Sequence, residues 1–318
     1  MKTPIRVAPP TLSQFPALKK MVLDAYPDAV IYEGPRITTE EKTIAFLRGA
    51  EAAIIAFEPI NDRVLSALPD LKILSKFAAG CESIDFRALQ KHKIRFGYTF
   101  GVNKLSVAEL TIAFMISGLR FINTQNLLMR AGDRPGWIIG RLLTGRTVGI
   151  HGCGNIGKEL VRLLQPYNCK VLACDIKDYN DFYKKNGVTP VSFEQLLAES
   201  EIITLHLPKT PKTIGLYSAD VLAKLRPDCL LINTCRGGIV DEDALADRLE
   251  QGKLSAACFD VFAIEPATND RLLRHPRMLA TPHIGAAAAE IRMAMCAAAI
   301  RGLTENALVD PDLYEGLM

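Results

Sequence analysis

The fold is decided by residues 147–175, which read TVGIHGCGNIGKELVRLLQPYNCKVLACD. Residues 147–151 are apolar enough for a buried strand, residues 158–164 have the periodicity of an amphipathic helix, and residues 170–174 resemble a second strand. A glycine-rich turn lies between the first strand and the helix. This series of strand, turn, helix and strand predicts a βαβ unit of a parallel sheet.

The glycine-rich turn is Gly152-Cys153-Gly154-Asn155-Ile156-Gly157. Glycines let the chain reverse sharply and approach a pyrophosphate, which the free amides at a helix N-terminus attract. Asp175 follows the second strand, where a carboxylate accepts hydrogen bonds from the adenosine ribose. Because a carboxylate there repels a 2′-phosphate, the predicted cofactor is NAD rather than NADP, and Lys177 offsets only part of that repulsion.

Short strand-like runs alternate with helical stretches along the whole chain. The first series of predicted strands comprises Ile5–Ala8, Ala29–Tyr32, Ala52–Phe57, Lys72–Ser75 and Ile94–Gly97, and a helix over Leu105–Arg120 follows it. The second series comprises Thr147–His151, Lys170–Cys174, Ile202–Leu205, Cys229–Asn233, Ser255–Phe259 and Met278–Ala280, with a last helix over Ala286–Leu303. Two complete series predict an α/β protein with two doubly wound parallel-sheet domains.

Composition narrows the possible partners and locations. The net charge of +3 is small for 318 residues, so we expect no nucleic-acid or membrane-surface partner. The apolar run Thr111–Leu119 is too short to cross a bilayer, and the first residues do not resemble a signal peptide. The eight cysteines have neither C-x-x-C nor metal-ligand spacing, so we expect reduced thiols, no metal site and a cytoplasmic location.

Three short segments in the second half of the chain contain residues suited to keto-acid chemistry. Arg236 follows a predicted strand within NTCRGG, Glu265 lies in DVFAIEP, and His283 lies in TPHIG. Arginine binds a carboxylate through two parallel hydrogen bonds. Histidine exchanges protons near neutral pH, and a neighbouring carboxylate favours its protonated form. Downstream of a dinucleotide-binding turn, this combination predicts hydride transfer between a cofactor and a small keto acid.

These motifs resemble the D-isomer-specific 2-hydroxyacid dehydrogenases, in particular their phosphoglycerate-dehydrogenase-like members. The resemblance extends over nearly the whole chain and includes KFAAGCESID at residues 76–85, NKLSVAEL at 103–110 and LHLP at 205–208. It implies a flavodoxin-like substrate-binding domain from residues 1–100 and 287–318, and a Rossmann NAD-binding domain from residues 101–286. It also implies a homodimer formed largely through the NAD-binding domain.

The resemblance implies a role for each site residue. Arg236 would bind the carboxylate and carbonyl oxygen of the small-molecule substrate, His283 would act as the acid/base, and Glu265 would orient His283. Implied cofactor contacts are Gly152, Gly154, Asn155, Ile156, Gly157, Asp175, His206, Pro208, Thr213, Thr234, Cys235, Asp260 and Gly285, with Asp260 on the nicotinamide carboxamide. Implied substrate contacts are Lys76, Ala78, Ala79, Gly80 and Asn103.

Departures from the family pattern leave the substrate open. Lys76 could meet a phosphate or second carboxylate, whereas Glu58 argues against 3-phosphoglycerate unless it pairs with Lys76. Cys235, beside Arg236, allows a redox-switch hypothesis, although a small residue replacing alanine is the simpler interpretation. Two other functions stay open: a phosphonate, phosphite or formate dehydrogenase on the same scaffold, and an NAD(H)-sensing binding protein similar to a corepressor.

Overall fold

The computed structural model describes residues 3–133 and 137–314. The chain divides into two compact units, one comprising Met1–Asn103 with Ala287–Met318 and the other Lys104–Ala286. The NAD-binding domain expected from the sequence began at residue 101. In the structure, residues 101–103 lie in the first unit. The helix that opens the second unit begins at Lys104.

The described residues form strands and helices that alternate along the chain. The strands are β1 Arg6–Val7, β2 Val30–Ile31, β3 Ala52–Ile55, β4 Ile73–Lys76, β5 Arg95–Gly97, β6 Thr147–His151, β7 Lys170–Cys174, β8 Val188–Pro190, β9 Ile202–Leu205, β10 Leu230–Asn233, β11 Ala256–Phe259, β12 Met278–Ala280 and β13 Ala307–Leu308. The helices are α1 Thr11–Gln14, α2 Pro16–Ala25, α3 Glu40–Leu47, α4 Asp62–Ser66, α5 Phe86–Lys91, α6 Lys104–Leu119, α7 Ile122–Arg130, α8 Asn155–Leu164, α9 Asn180–Asn186, α10 Phe193–Glu199, α11 Ala219–Ala223, α12 Glu242–Glu250, α13 Asp270–Leu273, α14 Ala289–Gly302 and α15 Pro311–Tyr314.

The sheet of the first unit has the order β13-β5-β4-β3-β1-β2. Its strands pair in parallel except β13, which is antiparallel to β5. The order 2-1-3-4-5 of the parallel strands is that of flavodoxin-like folds. This arrangement confirms the predicted fold class for the first unit.

The sheet of the second unit is parallel throughout and has the order β12-β11-β10-β9-β6-β7-β8. Counted from β6, this is the Rossmann order 3-2-1-4-5-6 with one additional strand. The order reverses between β6 and β9, and ligands of such sheets bind outside the carboxyl ends of the strands at that point. The predicted Rossmann fold is therefore confirmed, and its switch point locates the cofactor site.

Side chains of the second sheet alternate between two hydrophobic clusters. Leu231 of β10 packs in one cluster, whereas its neighbours Leu230 and Ile232 pack in the other. α6 covers the second cluster through Phe114 and Met115, and a Cβ on Gly118 would lie 2.5 Å from Leu230 Cδ1. Burial on both faces explains why these strands are continuous apolar runs.

The apolar helix α6 raises the question of a membrane span. Within residues 3–133 and 137–314, no single helix is long and apolar enough to cross a bilayer. α6 and α7 meet the length and composition criteria only as a pair, and this pair is bent by 66°.

The strands β8 and β13 and the helix α7 are among the elements that were not predicted from the sequence. β8 and β13 lie at sheet edges and were not predicted, because edge strands are short and contain residues such as Pro190 that central strands exclude. α7 was not predicted either. It is separated from α6 by Phe121, whose φ of 51° interrupts the helix.

Candidate active site

The glycine-rich turn between β6 and α8 has the geometry of a phosphate-binding loop. Gly152 has a φ of 92°, and a Cβ there would lie 2.5 Å from the carbonyl oxygen of His206. A Cβ on Gly157 would lie 2.5 Å from the carbonyl oxygen of Gly152, so this glycine lets α8 pack closely. At Gly154, in contrast, no described atom lies within 4 Å of the Cβ position. The turn therefore leaves open space in front of the helix N-terminus.

Asp175 lies immediately after β7, beside the glycine-rich turn. Its Oδ2 accepts a hydrogen bond from the Cys153 amide at 2.6 Å, and its Oδ1 accepts one from the Lys177 amide at 2.8 Å. Both carboxylate oxygens are thus oriented by the backbone. This fixes a negative charge at the rim of the turn, where the ribose of a dinucleotide lies.

The loop after β9 lies across the switch point from the glycine-rich turn. His206 Nε2 is 3.0 Å from Thr204 Oγ1, while its buried Nδ1 has no hydrogen-bond partner among the described residues. Burial lowers the pKa of His206 to about 3, so the imidazole is neutral. Thr213 Oγ1 donates to the Pro208 carbonyl at 2.6 Å and accepts from the Thr210 amide at 2.8 Å, which fixes the loop.

Arg236 lies in a turn that the buried Asn233 organises. Asn233 Oδ1 accepts from the amide and the thiol of Cys235, both at 3.1 Å, and Asn233 Nδ2 donates to the Arg236 carbonyl at 3.0 Å. Arg236 Nη1 donates to the Cys235 carbonyl at 2.7 Å. A Cβ on Gly237 would lie 1.8 Å from the Phe262 carbonyl oxygen, so only glycine allows this turn to contact the loop after β11.

The side chains of His283 and Glu265 lie within ion-pair distance of each other in the second unit. His283 Nδ1 is 2.8 Å from Glu265 Oε2, and Glu265 Oε1 accepts from the Phe262 amide at 3.2 Å. Their side chains are 47% and 39% exposed, respectively, so both can meet a small molecule. His283 has a φ of 57°, a left-handed conformation that is uncommon away from glycine and is found at functional sites.

Asp260 fixes the loop that contains His283. Its Oδ1 accepts from Thr281 Oγ1 at 2.5 Å and from the Ile284 amide at 2.7 Å, and its Oδ2 accepts from the Gly285 amide at 2.7 Å. Asp260 is 1% exposed, and its carbonyl accepts from the His283 amide at 2.8 Å. The structure therefore gives Asp260 a positioning role, and its expected contact with the nicotinamide stays a prediction.

Thr234 and Cys235 are both buried between β10 and Arg236. Thr234 Oγ1 is 3.1 Å from Thr111 Oγ1 of α6. Burial raises the pKa of the Cys235 thiol, and the thiol donates to Asn233 Oδ1. Because thiolate is the reactive form of cysteine, this environment disfavours the redox-switch hypothesis.

In the first unit, four of the predicted substrate residues line one small cavity. They are Lys76, Ala78, Ala79 and Asn103. Gly80 follows them but is outside that lining. Tyr98, which the sequence analysis missed, also lines the cavity and donates a hydrogen bond to the Ala79 carbonyl.

Lys76 lines this cavity but is held by neighbouring groups, and its expected contact with the substrate stays a prediction. The side chain is buried, and its Nζ donates to the Ala56 carbonyl and, at 3.3 Å, to Ser83 Oγ. Glu58 is buried nearby and accepts from the Ala56 amide at 2.5 Å. Both side chains are buried, and this burial lowers the pKa of Lys76 and raises the pKa of Glu58. Lys76 and Glu58 thus both contact the backbone of Ala56.

Sequence reasoning also missed residues that support the site from behind. Thr281 is an example, because its partner Asp260 lies on another loop. Asn233 is another example, although its partners Cys235 and Arg236 are its near neighbours in the sequence. His151 at the end of β6 is another: its Nδ1 is 3.0 Å from Tyr217 Oη, and burial lowers its pKa to about 4. A histidine directly before Gly152 was the available signal in the sequence.

The described residues suit a dinucleotide and give no sign of a metal site. Among residues 3–133 and 137–314, no three histidine, cysteine or acidic side chains are arranged to bind a metal ion. The open space at Gly154, the uncapped start of α8 at Asn155 and Ile156, and the oriented Asp175 carboxylate all fit a pyrophosphate and its ribose.

Comparison with known proteins identifies the family. The family model "D-isomer specific 2-hydroxyacid dehydrogenase, NAD binding domain" matches residues 112–285, more than half of the chain. The chain therefore belongs to the D-isomer-specific 2-hydroxyacid dehydrogenases, and its cofactor is NAD. The family resemblance and the cofactor predicted from the sequence are both confirmed.

Individual relatives have different substrates in their names. The D-3-phosphoglycerate dehydrogenase of Bacillus subtilis is 34% identical over 240 residues, which is 75% of this chain and 46% of the relative. The glyoxylate reductase of Thermococcus litoralis is 29% identical over 291 residues, 89% of this chain and 88% of the relative. The chain thus spans about half the length of the curated phosphoglycerate dehydrogenases it matches.

Solved structures agree with this fold. The TT0316 protein of Thermus thermophilus superimposes with a TM-score of 0.82 at 25% identity, covering 95% of this chain and 96% of the other. A glyoxylate reductase from Paecilomyes thermophila gives 0.80 at 25% identity, with coverage of 95% and 94%.

Proposed function

We propose that the protein is an NAD-dependent oxidoreductase that reduces a 2-oxo acid to the D-2-hydroxy acid, or catalyses the reverse reaction. The single observation that carries this proposal is the 2.8 Å contact between His283 Nδ1 and Glu265 Oε2, with the loop of Glu265 packed on Gly237 of the Arg236 turn. Bound NADH supplies the hydride. The protein supplies a cation, a proton donor and a carboxylate that orients the donor.

Each catalytic side chain has one task in this proposal. Arg236 binds the substrate carboxylate and carbonyl oxygen, and its positive charge stabilises the negative charge that develops on that oxygen. His283 donates a proton from Nε2 to the same oxygen, because its Nδ1 faces Glu265. Glu265 fixes the orientation of the ring. In the oxidation direction His283 removes the proton instead.

In the first unit, backbone amides near Ala78, Ala79 and Gly80 are proposed to bind the substrate carboxylate, with Asn103 at the edge of the cavity. Because Lys76 and Glu58 are buried and bound to Ala56, we propose a small 2-oxo acid without a phosphate, comparable to the glyoxylate in the name of the Thermococcus relative. A cytoplasmic location remains a prediction from the cysteines, which are free thiols and at least partly buried.

The reaction class is tested by NADH oxidation with glyoxylate, pyruvate, hydroxypyruvate, 2-oxoglutarate, phosphohydroxypyruvate and phosphonopyruvate. We expect turnover with a small unphosphorylated acid. NAD reduction by formate, phosphite or a phosphonate, without turnover of any 2-oxo acid, would favour the alternative substrates. Tight NADH binding without any turnover would favour the NAD(H)-sensing alternative.

Asp175 is proposed to select NADH over NADPH. Replacing it with serine removes the carboxylate that repels a 2′-phosphate, so we expect the ratio of kcat/KM for NADH to that for NADPH to fall by about tenfold or more. The measurement is steady-state turnover with each cofactor. Asp178→Ser, an exposed acid three residues on, is the matched control and should leave the ratio unchanged. A wild-type enzyme that prefers NADPH would refute this assignment.

We propose that α7, together with Trp137 and Ile139, forms the contact between two copies in the homodimer that the resemblance implies. All nine residues of α7 are at least partly exposed, and the side chains of Trp137 and Ile139 beyond it are 95% and 88% exposed. Concentrated apolar exposure of this kind marks interaction surfaces. Trp137→Ser with Ile139→Ser should convert a dimer to a monomer in sedimentation velocity, whereas Leu308→Ser, also exposed, should not. A monomeric wild-type protein would contradict the proposal.

A further inference from the structure

The first turn of α12 contains three consecutive acidic residues with different partners. Asp241 Oδ1 accepts from the amides of Asp243 and Ala244 at 3.1 and 3.0 Å, which caps the helix. The cap therefore needs only Asp241. Glu242 and Asp243 instead contact the chain between β11 and α13, here called the Glu265 loop (residues 260–269).

The two remaining acids bind opposite ends of the Glu265 loop. Glu242 Oε1 accepts from the Ala263 amide at 2.6 Å, close to Glu265. Asp243 Oδ1 accepts from Asn269 Nδ2 at 3.0 Å, at the end where α13 begins. One helical turn thus contacts both the catalytic part of the loop and its far end.

The peptide between Phe262 and Ala263 connects Glu242 to the catalytic pair. Its N–H donates to Glu242, and its carbonyl oxygen packs directly on Gly237, beside Arg236. The Phe262 amide, one peptide earlier, donates to Glu265 Oε1 at 3.2 Å. Two neighbouring amides therefore bind two carboxylates, so a shift of the backbone at Phe262 and Ala263 would move the donor that holds Glu265 Oε1.

We propose that Glu242 is a positioning residue for proton transfer: it fixes the Phe262–Ala263 peptide and, through it, the orientation of Glu265 towards His283. The inference rests on the proposed function and adds to it a residue outside the three catalytic side chains. Glu242 contacts none of the reacting groups itself. It acts on kcat through Glu265.

The surroundings of the Glu242 carboxyl are unfavourable for its charged form. The carboxyl is half-buried, and its burial raises its pKa, as do the neighbouring charges of Asp243 and Asp241. The hydrogen bond from the Ala263 amide acts in the opposite direction. Acids in such unfavourable surroundings are frequent at functional sites.

The test compares Glu242→Ala with Glu242→Gln and with Asp243→Ala. Glu242→Ala should lower kcat by about 10- to 100-fold, the range typical for residues that orient catalytic ligands, with KM for the 2-oxo acid and Kd for NADH changed by less than about twofold. Glu242→Gln keeps an oxygen acceptor for the Ala263 amide and should retain most activity. Asp243→Ala loosens the far end of the same loop and should leave kcat near wild type.

A double-mutant cycle separates positioning from general destabilisation. If Glu242 acts through Glu265, adding Glu242→Ala to Glu265→Ala should cost less than about twofold more, because coupled residues are not additive. Full additivity, an unchanged kcat in Glu242→Ala, or an equal loss in Asp243→Ala would each overturn the inference. Melting temperatures of all variants confirm folding.

Amide hydrogen exchange at residues 262 and 263 tests the contact without any substrate. Exchange should accelerate in Glu242→Ala and remain slow in Glu242→Gln. Unchanged exchange in Glu242→Ala would refute the inference itself. Accelerated exchange in a protein whose wild type reduces no 2-oxo acid would instead refute the proposed function, on which the catalytic part of the inference rests.

Discussion

Replacing His283 with alanine is expected to lower kcat/KM for reduction of a 2-oxo acid by about 10³-fold, within the range of general acid catalysis by a positioned side chain. The imidazole is the group whose Nδ1 lies 2.8 Å from Glu265, and its removal leaves the developing alkoxide without a proton donor. The Kd for NADH should stay within about twofold, because His283 acts on the substrate oxygen. Steady-state kinetics and fluorescence titration of NADH measure the two quantities.

The matched control for His283 is His92→Ala. His92 is also a partly exposed histidine that is paired with a carboxylate, at 2.7 Å from Asp62 Oδ1, but it lies in the first unit and outside the predicted site. This variant should keep wild-type kinetics. If His283→Ala retained most activity, or if both variants lost it equally, the assignment of His283 as the acid/base would be wrong.

Replacing Arg236 with lysine is expected to lower kcat/KM by about 10²- to 10³-fold, the scale of losing one stabilising donor at a developing oxyanion. Lysine keeps the charge but loses the planar pair of donors that binds a carboxylate, so it should rescue little of the loss in Arg236→Ala. The turn itself should persist, because Asn233 organises it through the Cys235 amide and the Arg236 carbonyl. The measurement is kcat and KM for the 2-oxo acid.

Arg271→Lys is the control for Arg236. Arg271 is an exposed arginine whose guanidinium also contacts carboxylates, those of Asp247 and Glu250. It lies outside the predicted site. Its replacement should leave turnover unchanged. Activity of Arg236→Lys close to wild type would show that the guanidinium geometry is unnecessary.

The central strands were predictable because burial on both faces makes them continuous apolar runs. β6, β7, β9 and β12 have the bounds expected from the sequence. The edge strand β13 was missed because an exposed pair such as Ala307–Leu308 has no such pattern. Its pairing with β5 depends on a return of the chain over about two hundred residues, which no local pattern encodes.

The candidate site was predictable in part, because Arg236, Glu265 and His283 lie in the loops that follow predicted strands of a parallel sheet. The structure brings Glu265 and His283 into contact and packs the Gly237 backbone against the Glu265 loop. Glu242 was not predictable, because its partner, the Ala263 amide, lies on another loop.

Lys76 is a residue whose position in a sequence motif did not define its contacts in the structure. Its position in the motif predicted a cation directed at the substrate, whereas the structure buries it against the Ala56 carbonyl. This contact joins the last residue of β4 to the residue that follows β3, so residue type and motif position alone could not reveal it.

We propose that the protein uses Arg236, Glu265 and His283 to reduce a 2-oxo acid with NADH to one enantiomer. The most direct measurement is chiral analysis of the product formed from NADH and pyruvate or hydroxypyruvate, together with the amount of NADH consumed. We expect only the D-2-hydroxy acid, in an amount equal to the NADH oxidised, and none with His283→Ala. An L or racemic product, or NADH consumed without hydroxy acid, would contradict it.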